Sequence, residues 1–341
     1  MIKKPTIIDI ARISGYSKST VSKVLRNEPY VKKSTKKKIL KEIKKVGYQP
    51  DEIARSLVLK KPSNFIGLII SDTSNPFFAE VVSGVEAEAK KRDCNVILCN
   101  TNYIETEEAR YIDMLLRNRA IGILLATATI NDYNVKHLIK INYPLVLIAR
   151  GVKSVKTDIV SIDNFEVAKT AVNYLIQKGH RKIAHFTVTE KVLSLIQRLE
   201  GYKSALKSNN IKMDYNLIFR NEMSIEGGYK SASELLKLKE KPTAIFAADD
   251  LVAIGAMNFF LEKNKKIPED ISIIGFDNIK FSGIRQINLT TVNQPKFEMG
   301  EKSVKILFKK INGGSNYKPI NYILKTKIIE RGTVLDLRHN K

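Results

Sequence analysis

The spacing of apolar residues changes near position 62. Before it, Ile7, Ile10 and Ala11, then Val21, Val24 and Leu25, then Ile39, Leu40, Ile43 and Val46 recur at steps of three and four. That interval gathers each set on one face of a helix. Thr6-Ile-Ile-Asp9 is a capping-box-like start, Gly15-Tyr16 interrupts the first helix, Ser17 caps the second, Ser34 opens the third and Gly47 ends it. Helix, tight turn, helix and buttressing helix form the helix-turn-helix plan. Its second helix lies in the DNA major groove, and here that helix turns Lys18, Ser19, Ser22 and Lys23 outward.

After Lys60-Lys61-Pro62, short apolar runs alternate with amphipathic stretches. Strands are expected at 65–70, 95–99, 122–126, 145–148, 182–187, 244–247 and 271–276. Such alternation predicts an α/β body with parallel sheets covered by helices on both faces. A ligand would then sit at the carboxyl ends of the strands. The chain contains no GxGxxG after a strand, no GxxxxGK[ST] and no Gly-x-Ser-x-Gly elbow, so nucleotide-dependent and esterase-type chemistry have no fingerprint.

Charge sharpens the division. The 341 residues carry a net +23, and residues 1 to 61 hold 17 basic and 5 acidic side chains, a net of +12. Half of the excess therefore lies in under a fifth of the chain, as expected of a polyanion-binding head on a nearly balanced body. No apolar run reaches the ~18 residues of a membrane span, and the N-terminus has no signal-peptide pattern, so a cytoplasmic protein with no membrane partner is expected. Cys94 and Cys99 are five apart and match neither a redox pair nor a zinc pair, while His137, His180, His185 and His339 are scattered. Reduced thiols, no metal and no cofactor follow.

The stretch from Thr6 to Leu25, with Val46-Gly-Tyr-Gln-Pro50 and Ile53-Ala-Arg-Ser-Leu57, resembles the headpiece and hinge of the LacI/GalR family of transcription regulators. The body resembles the periplasmic sugar-binding fold on which that family builds its effector domain. The matching stretches include 66–80, Ser161-Ile-Asp-Asn164, Gly179-His-Arg-Lys-Ile-Ala184, Gln197-Arg-Leu-Glu-Gly-Tyr202, 248–257, Ile274-Gly-Phe-Asp-Asn278 and 289–295. The resemblance covers nearly the whole chain. It implies a helix-turn-helix headpiece at 1–48 and a hinge helix and linker at 49–61. Two doubly wound parallel-sheet subdomains would follow, one of 62–162 plus 292–323 and one of 163–291 plus 324–341, with crossings near 163, 291 and 323.

Carried over by position, Lys18, Ser19 and Lys23 would read base edges. Thr6, Ser17, Ser22, Thr35 and Tyr48 would contact the backbone and fix register. Asp51 would cap the hinge helix, Leu57 would wedge between base steps, and Arg55 would enter the same minor groove. In the cleft, the resemblance points to Arg198 and Asp277 as effector ligands, with Asp249, Phe77, Phe78, Arg150, Thr187 and Met223 lining it. Asp250 is expected to be a helix cap. Relatives often end a strand with Asp-Arg, whereas here Ala149 precedes Arg150. Where many have a Gly-rich turn, this chain reads Phe186-Thr-Val-Thr189, like regulators of 2-keto-3-deoxygluconate use. A dimeric, non-enzymatic regulator of carbohydrate-use genes is implied, with operator DNA and a small sugar or sugar-acid effector as partners. A docked protein corepressor has no support in the sequence. A transport-type solute-binding protein, a sugar-modifying enzyme and an effector-less nucleoid binder are the rivals. The basic head opposes the first, the lack of a nucleophile–base pair opposes the second, and deletion of the body tests the third.

Overall fold

The computed structural model describes residues 5–48, 64–153, 155–188 and 191–339. They fall into two units, one within Met1–Ser63 and one spanning Asn64–Lys341. The expected hinge helix, with Asp51, Arg55 and Leu57, lies outside the described residues.

In the first unit, α1 (Ile7–Ser14), α2 (Lys18–Leu25) and α3 (Lys33–Val46) enclose a small core of Ile10, Val21, Val24 and Ile39. So small a core leaves much of the helix stability to the ends. The Thr6 amide donates to the Asp9 carboxylate at 2.9 Å, and the Thr6 side chain accepts from the Asp9 amide, closing a full capping box. Ser17 caps α2 through the Thr20 amide at 3.2 Å. Gly15 and Gly47 take the left-handed φ values of 77° and 66° that end α1 and α3. Two expectations fail here. Helix α3 begins at Lys33 with no side-chain cap, so Ser34 lies inside its first turn. Leu40 is exposed, because Ile39, Ile43 and Val46 complete the inward stripe and Leu40 stands one residue, about 100°, off it.

The second unit holds two six-stranded sheets. The first contains β1 (Phe65–Ile70), β2 (Asn95–Asn100), β3 (Ile123–Leu125), β4 (Leu145–Ile148), β5 (Asp158–Ile162) and β11 (Asn321–Leu324), in the order β11-β5-β4-β3-β1-β2. The second contains β6 (Ile183–Thr187), β7 (Ile218–Arg220), β8 (Ala244–Ala247), β9 (Ser272–Asp277), β10 (Thr290–Asn293) and β12 (Lys327–Ile329), in the order β12-β10-β9-β8-β6-β7. Every pairing is parallel except β10 with β12. All seven expected strands form, each within a residue or so of its expected ends. Strands β5, β7, β10, β11 and β12 have no counterpart in the expected set. The chain leaves the first sheet after Ile162, returns after Asn293 and crosses again after Leu324. The last two changes fall one or two residues beyond the expected 291 and 323, because β10 and β11 run on to those residues.

The helices are α4 (Pro76–Lys90), α5 (Glu105–Arg117), α6 (Tyr133–Lys140), α7 (Asn164–Gln177), α8 (Leu193–Ser208), α9 (Ile225–Leu235), α10 (Asp250–Glu262) and α11 (Lys296–Asn312). They pack on the sheets in close pairs, α4 with α11, α7 with α8 and α9 with α10. At the first pair, a Cβ on Gly84 would lie 2.0 Å from the Phe297 carbonyl oxygen, and one on Gly300 would lie 2.2 Å from that of Val81. The backbones touch there, which only glycine permits. Cys94 and Cys99 are buried and unpaired by disulfide; burial pushes both thiols up, Cys99 to about 11. No helix among the described residues is long and apolar enough to cross a membrane.

Candidate functional site

The effector candidates gather where the carboxyl ends of the two sheets meet. From the second sheet, Arg198 on α8 is buried. It donates Nε to Asn164 Oδ1 at 2.9 Å and Nη1 to the Ala248 carbonyl at 2.5 Å. Its guanidinium lies 3.7 Å from the centre of the Phe276 ring, a stacking arrangement that suits a planar cation with little water around it. Burial pulls its pKa down, and Asp277 and Asp249 act on it through space.

Asp277 ends β9 with φ at 116°, followed by Asn278 at 53°. Two consecutive non-glycine residues in the left-handed region carry strain that the surroundings must hold. They do so through Gln294, whose Nε2 donates to Asp277 Oδ1 at 2.6 Å, and through Lys296. The Lys296 Nζ donates to the carbonyls of Asp277 at 2.7 Å, Asn278 at 2.9 Å and Gln294 at 3.3 Å. Arg331 adds a 2.7 Å bond to the Asn278 side chain. Burial raises the Asp277 carboxyl despite the pull of Arg198.

The capping part expected of Asp250 falls to its neighbour, Asp249. Asp249 caps α10, accepting from the Val252 amide at 2.7 Å, and burial together with Asp277 lifts it to about 7. Asp250, expected as the cap, is instead a fully buried brace. It accepts from the Ile279 amide at 2.9 Å, Ser282 Oγ at 2.6 Å and Thr291 Oγ1 at 2.5 Å. The physical reason is register. Asp249 ends the extended segment where the free amides point, and Asp250 has already turned into the helix, toward the loop after β9.

From the first sheet, Arg150 follows Ala149, whose φ is 61°. It is half-buried, with its guanidinium 5.8 Å from the centre of the Tyr103 ring. Tyr103 was not among the expected site residues. It sits after β2 in a left-handed pair, Asn102 at φ 50° and Tyr103 at φ 61°, and it feels Arg150, Asp72 and, from the other sheet, Asp249. Its ring is 53% exposed and stands beside Arg150, within electrostatic reach of acids from both sheets. Phe77 and Phe78 pack edge to face at 5.2 Å and are buried in the core cluster, with almost no ring surface open to a guest. Thr187 is buried at the end of β6, and Met223 is half-buried against the cluster around Phe219 and Phe259. Thr189 lies outside the described residues.

On the head, Lys18, Ser19 and Lys23 are exposed along α2, and Ser22 and Thr35 are half-buried. Ser17 Oγ is already engaged by the Thr20 amide and lies 2.8 Å from Ser19 Oγ. Thr6 is exposed at the start of α1, and Tyr48 packs against the head core. Among the described residues no group of His, Cys, Asp and Glu could hold a metal.

Comparison with known proteins covers both units. A model of bacterial regulatory proteins of the lacI family matches residues 6–51. A model of periplasmic binding proteins and the sugar binding domain of the LacI family matches residues 63–326. The chain is 34% identical over 333 residues to the HTH-type transcriptional repressor PurR of Vibrio atlanticus, covering 97% of this chain and 99% of that one. Among solved structures, it is similar to the transcriptional regulator CelR in complex with cellobiose, at 26% identity and a TM-score of 0.73, covering 97% of this chain and 100% of that one. It is also similar to a LacI family regulator from Enterococcus faecium with bound ribose, at 31% identity and a TM-score of 0.72, covering 80% and 99%.

Proposed function

The chain belongs to the LacI family of bacterial regulatory proteins, as a DNA-binding transcriptional repressor and not an enzyme, and from that premise we propose that a small sugar or sugar acid in the body's cleft controls its hold on a near-palindromic operator. The protein works in the cytoplasm as a homodimer on carbohydrate-use genes, since two heads reading a two-fold site require a two-fold protein. Lys18, Ser19 and Lys23 read bases, and Thr6, Ser17, Ser22, Thr35 and Tyr48 set register on the phosphates. Arg55 and Leu57 act in the minor groove.

The observation that carries the effector half is the buried Arg198. Its guanidinium is held by Asn164, Ala248 and Phe276, none of them charged, while Asp277 and Asp249 stand nearby without an ion pair. A cation and carboxylates kept apart in one cleft present donors and acceptors to a polyhydroxylated guest. The cellobiose and ribose named with two similar regulators support a carbohydrate. Ligand then acts by favouring the body conformation that binds DNA less well, or better.

Thermal unfolding of the full chain against neutral sugars, sugar acids, sugar phosphates and a nucleobase tests this, because a ligand of the folded state raises the midpoint. The expected result is that one carbohydrate class raises it and changes operator affinity in the same concentration range. A rise with the nucleobase alone leaves the repressor standing and removes the carbohydrate. A carbohydrate that raises the midpoint and leaves operator affinity unchanged refutes the coupling. Leu57→Ala is expected to weaken specific binding far more than non-specific binding, and an equal loss in both refutes the wedge.

A further inference from the structure

We propose that the Arg150–Tyr103 corner of the cleft is an oxyanion subsite, so that the effector carries a carboxylate or phosphate there and presents its hydroxyls to Asp277 and Arg198. The inference rests on the effector reading above and adds the charge and direction of the guest.

The argument begins with what Arg150 lacks. Among the described residues no carboxylate stands at ion-pair distance from it; Glu108 and Asp277 act on it only through space. Neither is available to come closer. Glu108 is bound by Thr127 and, at 2.8 Å, by Asn134 Nδ2, and burial favours its neutral form. Asp277 is held by Gln294. Ala149, the residue before Arg150, carries no charge that could answer this arginine. Arg198, the second guanidinium in the cleft, is drawn by Asp277 and Asp249 and repels Arg150. Arg150, half-buried and with no carboxylate at ion-pair distance among the described residues, stands beside a second cation that repels it, a cost in free energy that an anionic guest would recover.

Tyr103 gives the corner its donor character. The tyrosine ring is 53% exposed, and the Arg150 guanidinium lies 5.8 Å from its centre, so a guest can meet the two groups together. A phenol has one proton and two lone pairs. It can therefore accept from one neighbour and donate to another. Asp72, which acts on Tyr103 through space, is turned into its own loop after β1, accepting from the Ser74 amide at 2.8 Å and Ser74 Oγ at 2.7 Å. The corner therefore offers an N–H fork and an O–H to a group that only accepts. The opposite end offers the acceptors Asp249 and Asp277. A hydroxyl satisfies the second end, and an oxyanion satisfies the first. The paired left-handed residues Asn102 and Tyr103 fit this reading, since backbone strain of this kind collects at ligand contacts.

The test measures the thermal midpoint of the full-length protein in inorganic phosphate and in chloride at matched ionic strength. The wild type, Arg150→Gln and Tyr103→Phe are compared. The basic head binds phosphate equally in all three, so the difference between variants reports the body. The proposal requires a phosphate-specific rise in the wild type that Arg150→Gln abolishes and Tyr103→Phe reduces. No such rise, or one that both variants retain, overturns it. A second arm uses glucose, glucuronate and glucose 6-phosphate. Loss of the Tyr103 hydroxyl is expected to weaken an acidic or phosphorylated guest by about tenfold to hundredfold, the range for a hydrogen bond to a charged group. A neutral guest is expected to be unaffected. Glucuronate and glucose 6-phosphate separate a carboxylate source from a phosphate source. If glucose alone raises the midpoint and shifts operator affinity, the effector reading stands and the oxyanion subsite falls. If guests bind and operator affinity never moves, the effector reading falls whatever their charge.

Discussion

Replacing Asp250 by asparagine separates two effects that compete on one buried carboxyl. Three donors, from Ile279, Ser282 and Thr291, favour its charged form, while burial and the neighbouring Asp277 favour the neutral one. Burial wins, and the carboxyl titrates at about 7 instead of 3.8. As pH rises past the unfolded value, the unfolded chain releases this proton and the folded chain keeps it. Stability from this group therefore falls with rising pH until the folded carboxyl also ionises. Three pH units correspond to about 4 kcal/mol. The whole protein's profile conceals this, because His185 runs the other way. Burial drops His185 from 6.5 to about 4, so its contribution is lost as pH falls through that window. Urea unfolding followed by circular dichroism, on wild type and Asp250→Asn from pH 4.5 to 8, removes the histidine by subtraction. Wild-type stability minus variant stability is expected to decline across that range by an amount of this order. A flat or rising difference means that the three hydrogen bonds outweigh burial and refutes the reasoning.

Three further outcomes follow from named contacts. Gly84→Ala drives a methyl into the Phe297 carbonyl and is expected to cost about 1–3 kcal/mol or more as α4 and α11 separate, seen as a midpoint several degrees lower. Thr6→Ala removes the capping box of α1 and is expected to cost about 1 kcal/mol of head stability, with weaker operator binding and an unchanged body transition; unchanged operator binding would refute it. Asp277→Asn keeps the shape of the β9 turn and loses its charge, so the effector-induced midpoint shift is expected to shrink sharply while ligand-free operator affinity stays the same. A parallel loss of both would make Asp277 a structural residue only.

Much of the fold was legible because the signals that announce it are local. Three-and-four spacing, a Thr–Asp box and glycines at helix ends act within a few residues, and α1 and α2 form where they predict. Most of the seven expected strands are runs such as Ile66 to Ile70, apolar because both faces are buried, and the edge strand β2 was expected from its short run Val96 to Leu98. The strands without a forecast lack that signature. Strand β7 is three residues long, β11 and β12 sit at sheet edges with Leu324 their only buried residue, and β10 reads Thr290-Thr-Val-Asn293. Their identity comes from the partner strand they pair with, which no window of sequence contains. Leu40 was misplaced for a related reason. Within one helix turn, Ile39 and Leu40 are equally apolar, and only the packing of α1 and α2 decides which faces inward.

The cleft was legible where a motif carried it and illegible where charge balance did. Arg198 and Asp277 lie in stretches whose pattern announces them, and both reach the cleft. Nothing local distinguishes Asp249 from Asp250, because the choice depends on which of them first meets free helix amides and which meets the loop from 279 to 291. Tyr103 had even less to announce it. Its role depends on Arg150, 47 residues away, lacking an acid, and that lack shows only once Glu108 is seen to be engaged by Thr127 and Asn134. Ala149 was the one clue in the sequence. An aspartate there would have neutralised Arg150 within its own strand end. Its absence moves the arginine's missing charge from the chain to the ligand, so Ala149→Asp is expected to weaken any anionic effector and spare a neutral one. Equal weakening of both guests would show that the charge at this corner was never directed to the ligand.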